Sequence, residues 1–189
     1  HFITGVWTSE STPANLWDVA AGTPIEDVRG ALTTVQELTG FRPNKAVMGR
    51  AVYDALLDHP DIVGRIDRGQ TQGTAKVLRE TLASLFELDE ILVMDAIENT
   101  AVEGAANSHA FIGGKHCLLL YVPQSPGLMT PAAGYTFAWT GLYGGGALST
   151  RMKRIRMEPE SSDRLQIEMS FDQKQIAPDL GYMFLSVVS

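Results

Sequence analysis

Cysteine occurs once in 189 residues, as Cys117. No disulfide can therefore form within the chain, and this usage fits a reducing compartment such as the cytosol. Cys117 opens the apolar run Cys117-Leu118-Leu119-Leu120-Tyr121-Val122, where a small core residue is the expected role rather than a nucleophile. This is the longest uninterrupted apolar run, far short of the roughly 20 residues that a membrane helix needs. It has the length of a buried strand, and no membrane partner is expected. No secretory signal is visible. The chain starts at His1 and enters at once the apolar segment Phe2-Ile3-Thr4-Gly5-Val6-Trp7, which reads as a chain taken up partway. Positive charge is in deficit: 15 Lys and Arg against 22 Asp and Glu give a net charge of -7. That sign argues against a protein whose main task is gripping phosphate backbone, though not against one that encloses a nucleic acid.

Catalytic signatures are also lacking. The sequence holds no G-x-S-x-G elbow, no H-E-x-x-H helix and no C-x-x-C pair. Gly113-Gly114-Lys115 lacks the first glycine of a phosphate loop, and His116 stands where Ser or Thr would bind magnesium. His109 and His116 bracket a glycine turn but have no third ligand, so surface or hydrogen-bonded roles are expected for them rather than zinc. Asp54, Asp58 and Asp61 are expected on a solvated helix face. No cofactor, no metal and no enzymatic activity are expected, and an enzyme of unrecognised type stays as the alternative of a different class.

What is present is an ordinary globular composition, 44% apolar and 20% charged, with enough chain for one domain or two small ones. Thr23 and Glu26 have capping-box spacing ahead of a helix over about Pro24 to Leu38, with Pro24 at its first position and Gly40 as its stop. Ile25, Val28, Leu32 and Val35 line one face of it. A short strand at Lys45–Met48 leads into a helix over about Arg50 to Asp58, which Pro60 ends or kinks. A third helix is expected over Thr74 to Leu85, with Leu78, Leu82 and Leu85 on one face, after the polar loop Asp67–Gly73. Further strands are expected at Ile91–Met94, Cys117–Val122 and Tyr135–Trp139. From Pro123 to Gly146, prolines and glycines break any regular pattern, and Gly144-Gly145-Gly146 reads as a flexible hinge.

The strongest strand signal lies near the end. Leu165, Ile167, Met169 and Phe171 alternate with Arg164, Gln166, Glu168 and Ser170, a two-residue period. Ala147 to Met157 is the expected partner strand, with Pro159-Glu160-Ser161-Ser162 as the turn of a β-hairpin. A last strand runs over about Gly181 to Val188. Helices interspersed with strands and followed by a hairpin give an α+β class. Arg151, Lys153, Arg154 and Arg156 crowd one hairpin strand, and Glu158, Glu160 and Asp163 follow. Three readings stay open for them: pairing across the hairpin, contact with an acidic neighbouring subunit, or contact with packaged DNA.

A longer series of segments carries a resemblance. Phe2–Trp7 leads through Trp17 to Thr23-Pro24-Ile25-Glu26-Asp27-Val28-Arg29, then Thr39-Gly40-Phe41-Arg42-Pro43-Asn44, Val47 through Leu56, and His59 through Ile66. Leu85 through Val93, Asn99-Thr100-Ala101 and Phe171-Asp172-Gln173-Lys174 extend it. In this order the chain resembles the major capsid proteins of tailed bacteriophages with the Hong-Kong-ninety-seven-type fold. The resemblance implies a peripheral domain containing residues 1–40, with the end of an extended loop and a spine helix, and residues 147–189, with the hairpin and final strand. It implies an axial domain over residues 41–146. It further implies a structural subunit that assembles with itself into hexamers and pentamers of an icosahedral head enclosing double-stranded DNA without sequence-specific binding. Portal, scaffolding or decoration proteins are the other implied partners, and the virion, assembled in host cytoplasm, the implied location. An encapsulin-type bacterial shell is the alternative. One departure stands out: only 23 residues precede Pro24, too few for the N-terminal arm and extended loop of that family.

Overall fold

The computed structural model describes residues 5–67, 79–127, 129–139, 141 and 150–189. The leading residues His1–Thr4, the start of the expected third helix including Leu78, most of the loop before it and the Gly144–Gly146 hinge lie outside these. By packing, the chain divides into a unit formed by residues 1–133 and 177–189, and a unit formed by residues 134–176.

In the larger unit, Pro24–Thr39 forms helix α1, closed by Gly40 in the left-handed region at φ 77°, where the missing Cβ removes the steric cost. Ile25, Val28, Ala31, Leu32 and Val35 are buried, so the apolar stripe faces the core as its spacing requires. The capping box does not form. Thr23 makes no side-chain cap bond; its hydroxyl donates to Asp27 Oδ1 at 3.3 Å. Glu26 instead meets Arg65 at 2.6 Å, because a guanidinium offers a carboxylate a charge-assisted partner that a neutral backbone N–H does not match. Trp17, fully buried just ahead of α1, donates its indole N–H to Asp27 Oδ2 at 2.9 Å and lies edge-on to Phe184 at 5.2 Å.

The core sheet has five strands: β1 (Ser9–Ser11), β2 (Lys45–Gly49), β3 (Glu90–Met94), β6 (Cys117–Leu120) and β11 (Gly181–Phe184), in the order β1-β11-β6-β2-β3. β1–β11 and β2–β3 are parallel pairs, while β11–β6 and β6–β2 are antiparallel. Alternation on β6 sends its side chains to two cores. Cys117 and Leu119 join α1, α2 (Arg50–Asp58) and α4 (Arg79–Leu85), while Leu118 joins Trp7, Leu180 and Met183. Pro60 begins α3 (Pro60–Asp67), so it ends one helix and starts the next. The strand expected to reach Val122 stops pairing at Leu120, since the Val122 N–H turns to the Asn44 side chain at 2.9 Å. The final strand stops at Phe184; Ser186 has φ 47°, and Val187 returns to the core with its N–H on the Lys115 carbonyl at 2.9 Å. β4 (Ile97–Asn99) and β5 (His109–Phe111) form a small antiparallel pair.

The smaller unit holds two pairs of strands. β7 (Gly134–Ala138) pairs antiparallel with β10 (Phe171–Gln175), and β8 (Thr150–Met157) with β9 (Ser162–Met169). The alternating run therefore does not continue through Phe171: Ser170 interrupts it, accepting from the Trp139 N–H at 3.4 Å, and Phe171 opens the strand that pairs with β7.

Candidate assembly surface

The β8–β9 hairpin is the feature that needs explaining. Its register is continuous over eight pairs, from Thr150 opposite Met169 to Met157 opposite Ser162. The turn is a single helical turn at Glu158–Glu160, closed by Ser161 in the left-handed region. Alternation gives the hairpin two faces of different chemistry. One carries Met152, Leu165, Ile167 and Met169 with Arg154 and Arg156; the other carries Arg151, Lys153 and Ile155 with Gln166 and Glu168.

Among the described residues of its own unit, the apolar face is open. Met152, Leu165 and Ile167 are 71%, 67% and 70% exposed, and Phe137, Trp139 and Phe171 in the same unit are also exposed. Among the described residues of 134–176, not one is buried. Large apolar side chains exposed on one strand face point to an interaction surface, and a two-stranded pair needs further packing to hold its shape. The sequence's clean alternation thus marks a face that the described residues of its own unit leave uncovered.

The four basic residues on β8 are held by acids across the hairpin. Glu168 accepts from Arg151 Nη2 at 2.7 Å and from Lys153 at 3.3 Å. Asp163 accepts from Arg154 and, at 3.4 Å, from Arg156, which also lies 3.7 Å from Glu158. The Arg151 guanidinium and, next, the Lys153 ammonium hold the Glu168 carboxyl below its ordinary range against the opposing cost of desolvation. Sequence reasoning named Glu158, Glu160 and Asp163 as partners, of which Glu158 and Asp163 pair with the basic strand, and missed Glu168. Its signal was available in the turn position, because a turn at 158–161 sets Glu168 opposite Arg151.

The remaining candidates fall into structural roles. Cys117 is buried, and burial pushes its thiol up to about 12. His59 is buried, its Nε2 3.2 Å from the Val19 carbonyl and its Nδ1 accepting the Asp61 N–H at 3.2 Å, which ties the α2–α3 corner to the segment before α1. His116 Nδ1 accepts the Ser186 N–H at 3.1 Å. Asp54 pairs with Arg50 and Asp61 with Arg65, each one helical turn away. Among the described residues no group of three His, Cys, Asp or Glu is placed to hold a metal ion, and no helix is long and apolar enough to cross a membrane. An open cleft of about 390 Å³ lies beside Asn44, Lys45, Asp89, Glu90 and Gln124. Four of its polar side chains are committed to partners: Lys45 to Glu90 at 2.7 Å, and Asn44 to Asp89 and the Val122 carbonyl at 3.0 and 2.9 Å.

The family model described as phage major capsid protein E matches residues 8–133, two-thirds of the chain. The chain belongs to the phage major capsid protein E family. A curated relative, the major capsid protein of Pseudomonas phage JBD67, is 29% identical over 173 residues, covering 92% of this chain and 53% of that protein. The fold is similar to the crystal structure of a phage-related protein from Bordetella bronchiseptica RB50, with a TM-score of 0.82 at 19% identity over 98% of this chain and 59% of that one. The chain thus spans little more than half the length of both. Membership in this capsid family supports the role of a structural capsid subunit. The family match ends at residue 133, before the hairpin begins.

Proposed function

We propose that the chain is part of a shell subunit that tiles with copies of itself, as hexamers and pentamers, into an icosahedral phage head around double-stranded DNA. The observation that carries this reading, beside the family, is the 134–176 unit, which exposes an apolar face and buries none of its described residues. Such a surface is expected where neighbours supply the missing cover. The task is mechanical: modest interfaces, repeated by closed symmetry, add up to a stable particle. Arg151, Lys153, Arg154 and Arg156 are proposed to meet neighbouring subunits, where charge sets register and partner choice more than affinity. The net charge of -7 suits a container better than a DNA reader, so the genome would be enclosed without sequence readout.

In this reading the fold is of the Hong-Kong-ninety-seven type, with axial and peripheral domains. The proposed division assigns residues 1–40 and 147–189 to the peripheral domain and 41–146 to the axial one. By packing, α1 and β11 share one core with β2, β3 and β6. Portal, scaffolding or decoration proteins would be further partners, and the virion, assembled in host cytoplasm, the location.

Electron microscopy of the purified full-length protein tests the proposal. Closed icosahedral particles that package double-stranded DNA during infection support it. Particles loaded with a protein cargo would favour an encapsulin-type shell, and a protein that stays monomeric under all assembly conditions would refute both.

A further inference from the structure

We infer that the Glu10 carboxylate is an acid-releasable staple: ionised, it gathers the backbone N–H groups of residues 5–7 and holds Trp7 against the core sheet, and on protonation it lets that cover lift. The inference stands apart from the assembly reading, because every contact it uses lies within the larger unit. Three successive N–H groups converge on this one side chain. Gly5 donates to Glu10 Oε1 and Oε2 at 2.8 and 2.9 Å, and Val6 and Trp7 each donate to Oε1 at 3.2 Å. Consecutive N–H groups turned to one side make a concavity for an anion, and here the chain supplies the anion itself. Gly5 permits the turn with φ at 80°, in the left-handed region where an L side chain would be strained.

What the staple holds is a cover over one face of the sheet. Trp7 is buried with Leu118, Ala133, Leu180 and Met183. Its ring lies so close over Gly181 that a Cβ there would stand 2.3 Å from Trp7 Cε3. β1, which carries Glu10, is an edge strand whose three polar residues pair with β11. Further ties come from the Thr8 hydroxyl, which donates to Asp179 in the turn Pro178–Leu180, and from the Tyr182 hydroxyl, which donates to Ser11 Oγ at 3.0 Å. Asp179 and Tyr182 are thus the titratable groups that neighbouring elements set against this strap among the described residues. The Gly5 N–H is the largest cause holding the Glu10 carboxyl below its ordinary value of 4.5; desolvation opposes it, and the Trp7 and Val6 N–H groups add to it. No charged side chain is among the causes. A protonated acid has lost its charge and turned one oxygen into a donor, so it no longer suits three converging donors. A depressed carboxylate stabilises above its unfolded value, and that contribution goes as pH falls through the folded one. The staple therefore holds across neutral pH and opens only below about 4.5.

Hydrogen exchange of the full-length protein, followed from about pH 7 to about pH 3 and corrected for the intrinsic rate, tests this. Protection of the 5–7 amides is expected to stay level above about pH 5 and to fall about fivefold by about pH 3, while the Leu118 and Leu119 amides of β6 keep theirs. Over the same range, oxidation of Trp7 by hydroxyl radicals is expected to rise about fivefold relative to fully buried Trp17. In Glu10→Gln the 5–7 amides are expected to have lost this protection already at neutral pH, with the circular-dichroism spectrum of the parent. Loss of protection at 5–7 and in β6 together would mean global acid unfolding and would overturn the staple. So would 5–7 protection that survives the whole range, a Trp7 that stays covered throughout, or a Glu10→Gln protein protected like its parent. If Glu10→Gln does not fold, the pH series on the unmodified protein decides alone.

Discussion

A Cβ atom on Gly49 would stand 2.0 Å from the carbonyl oxygen of Gly114. Gly49 ends β2 and caps α2, donating its N–H to the His116 carbonyl at 3.1 Å. The approach of the two backbones explains a glycine pair whose sequence hinted at a phosphate loop. Gly113 is also close from the other side, where a Cβ would meet the Gly49 Cα at 2.9 Å. Gly49→Ala is expected to lower stability by about 1–3 kcal/mol, as overpacking does. Gly30→Ala, on the exposed side of α1 with open space around its Cβ position, is expected to raise stability by about 0.5–1 kcal/mol. Urea denaturation of the two variants checks the contrast.

Cys117 makes a second test. Its thiol sits above the ordinary value of 9.0, at about 12, because burial disfavours the thiolate. Below pH 9 both the folded and the unfolded chain hold this proton, and the group leaves stability unchanged. Between 9.0 and about 12 the unfolded chain loses the proton first, so stability falls as pH rises through that window. At neutral pH a maleimide is expected to label the folded chain at least a hundredfold more slowly than the urea-unfolded chain. Comparable rates would place Cys117 outside the core.

How much of this was legible in the sequence depends on where each element finds its partner. α1 and the strands of the core sheet carry their signals locally: a stripe at helical spacing over Ile25 to Val35, and apolar runs at Lys45–Gly49 and Cys117–Leu120. The capping box misled because Glu26 answers to Arg65, 39 residues away, which local spacing does not contain. β1 was invisible, being three polar residues paired with β11 across nearly the whole chain. The hairpin was legible as a hairpin, but what its alternating apolar side meets was not. The residues that alternation singles out are exposed, since a period of two reports that a face will be covered and not by which molecule.

Titration of Glu168 examines the hairpin's electrostatics without assembly. Its carboxyl lies below the ordinary value of 4.5 because Arg151, then Lys153, bind the charged form. A depressed carboxylate contributes stability that is present above its unfolded value and lost as pH falls through the folded one. The Glu168 ion pairs are therefore expected to persist across neutral pH and to weaken only below about 4.5. Arg151→Gln is expected to move the Glu168 carbon-13 titration back up toward 4.5, and an unmoved titration would show that Arg151 is not the main cause.

Reversing charge on β8 separates folding from association. The triple variant Arg151→Glu, Lys153→Glu and Arg154→Glu is expected to keep the circular-dichroism spectrum of the parent, because the 1–133 and 177–189 core does not depend on these partly exposed side chains. Particle yield is expected to fall at least tenfold. Normal particles from this variant would remove β8 from the assembly contacts.

Methionine footprinting of the full-length protein tests most directly whether neighbouring copies cover this hairpin. Met152 and Met169 are 71% and 48% exposed in the isolated chain, so hydroxyl radicals are expected to oxidise both in dissociated subunits. In assembled particles their oxidation is expected to drop at least fivefold. Equal oxidation of the two residues before and after assembly would mean that the face stays in water, and would contradict the account.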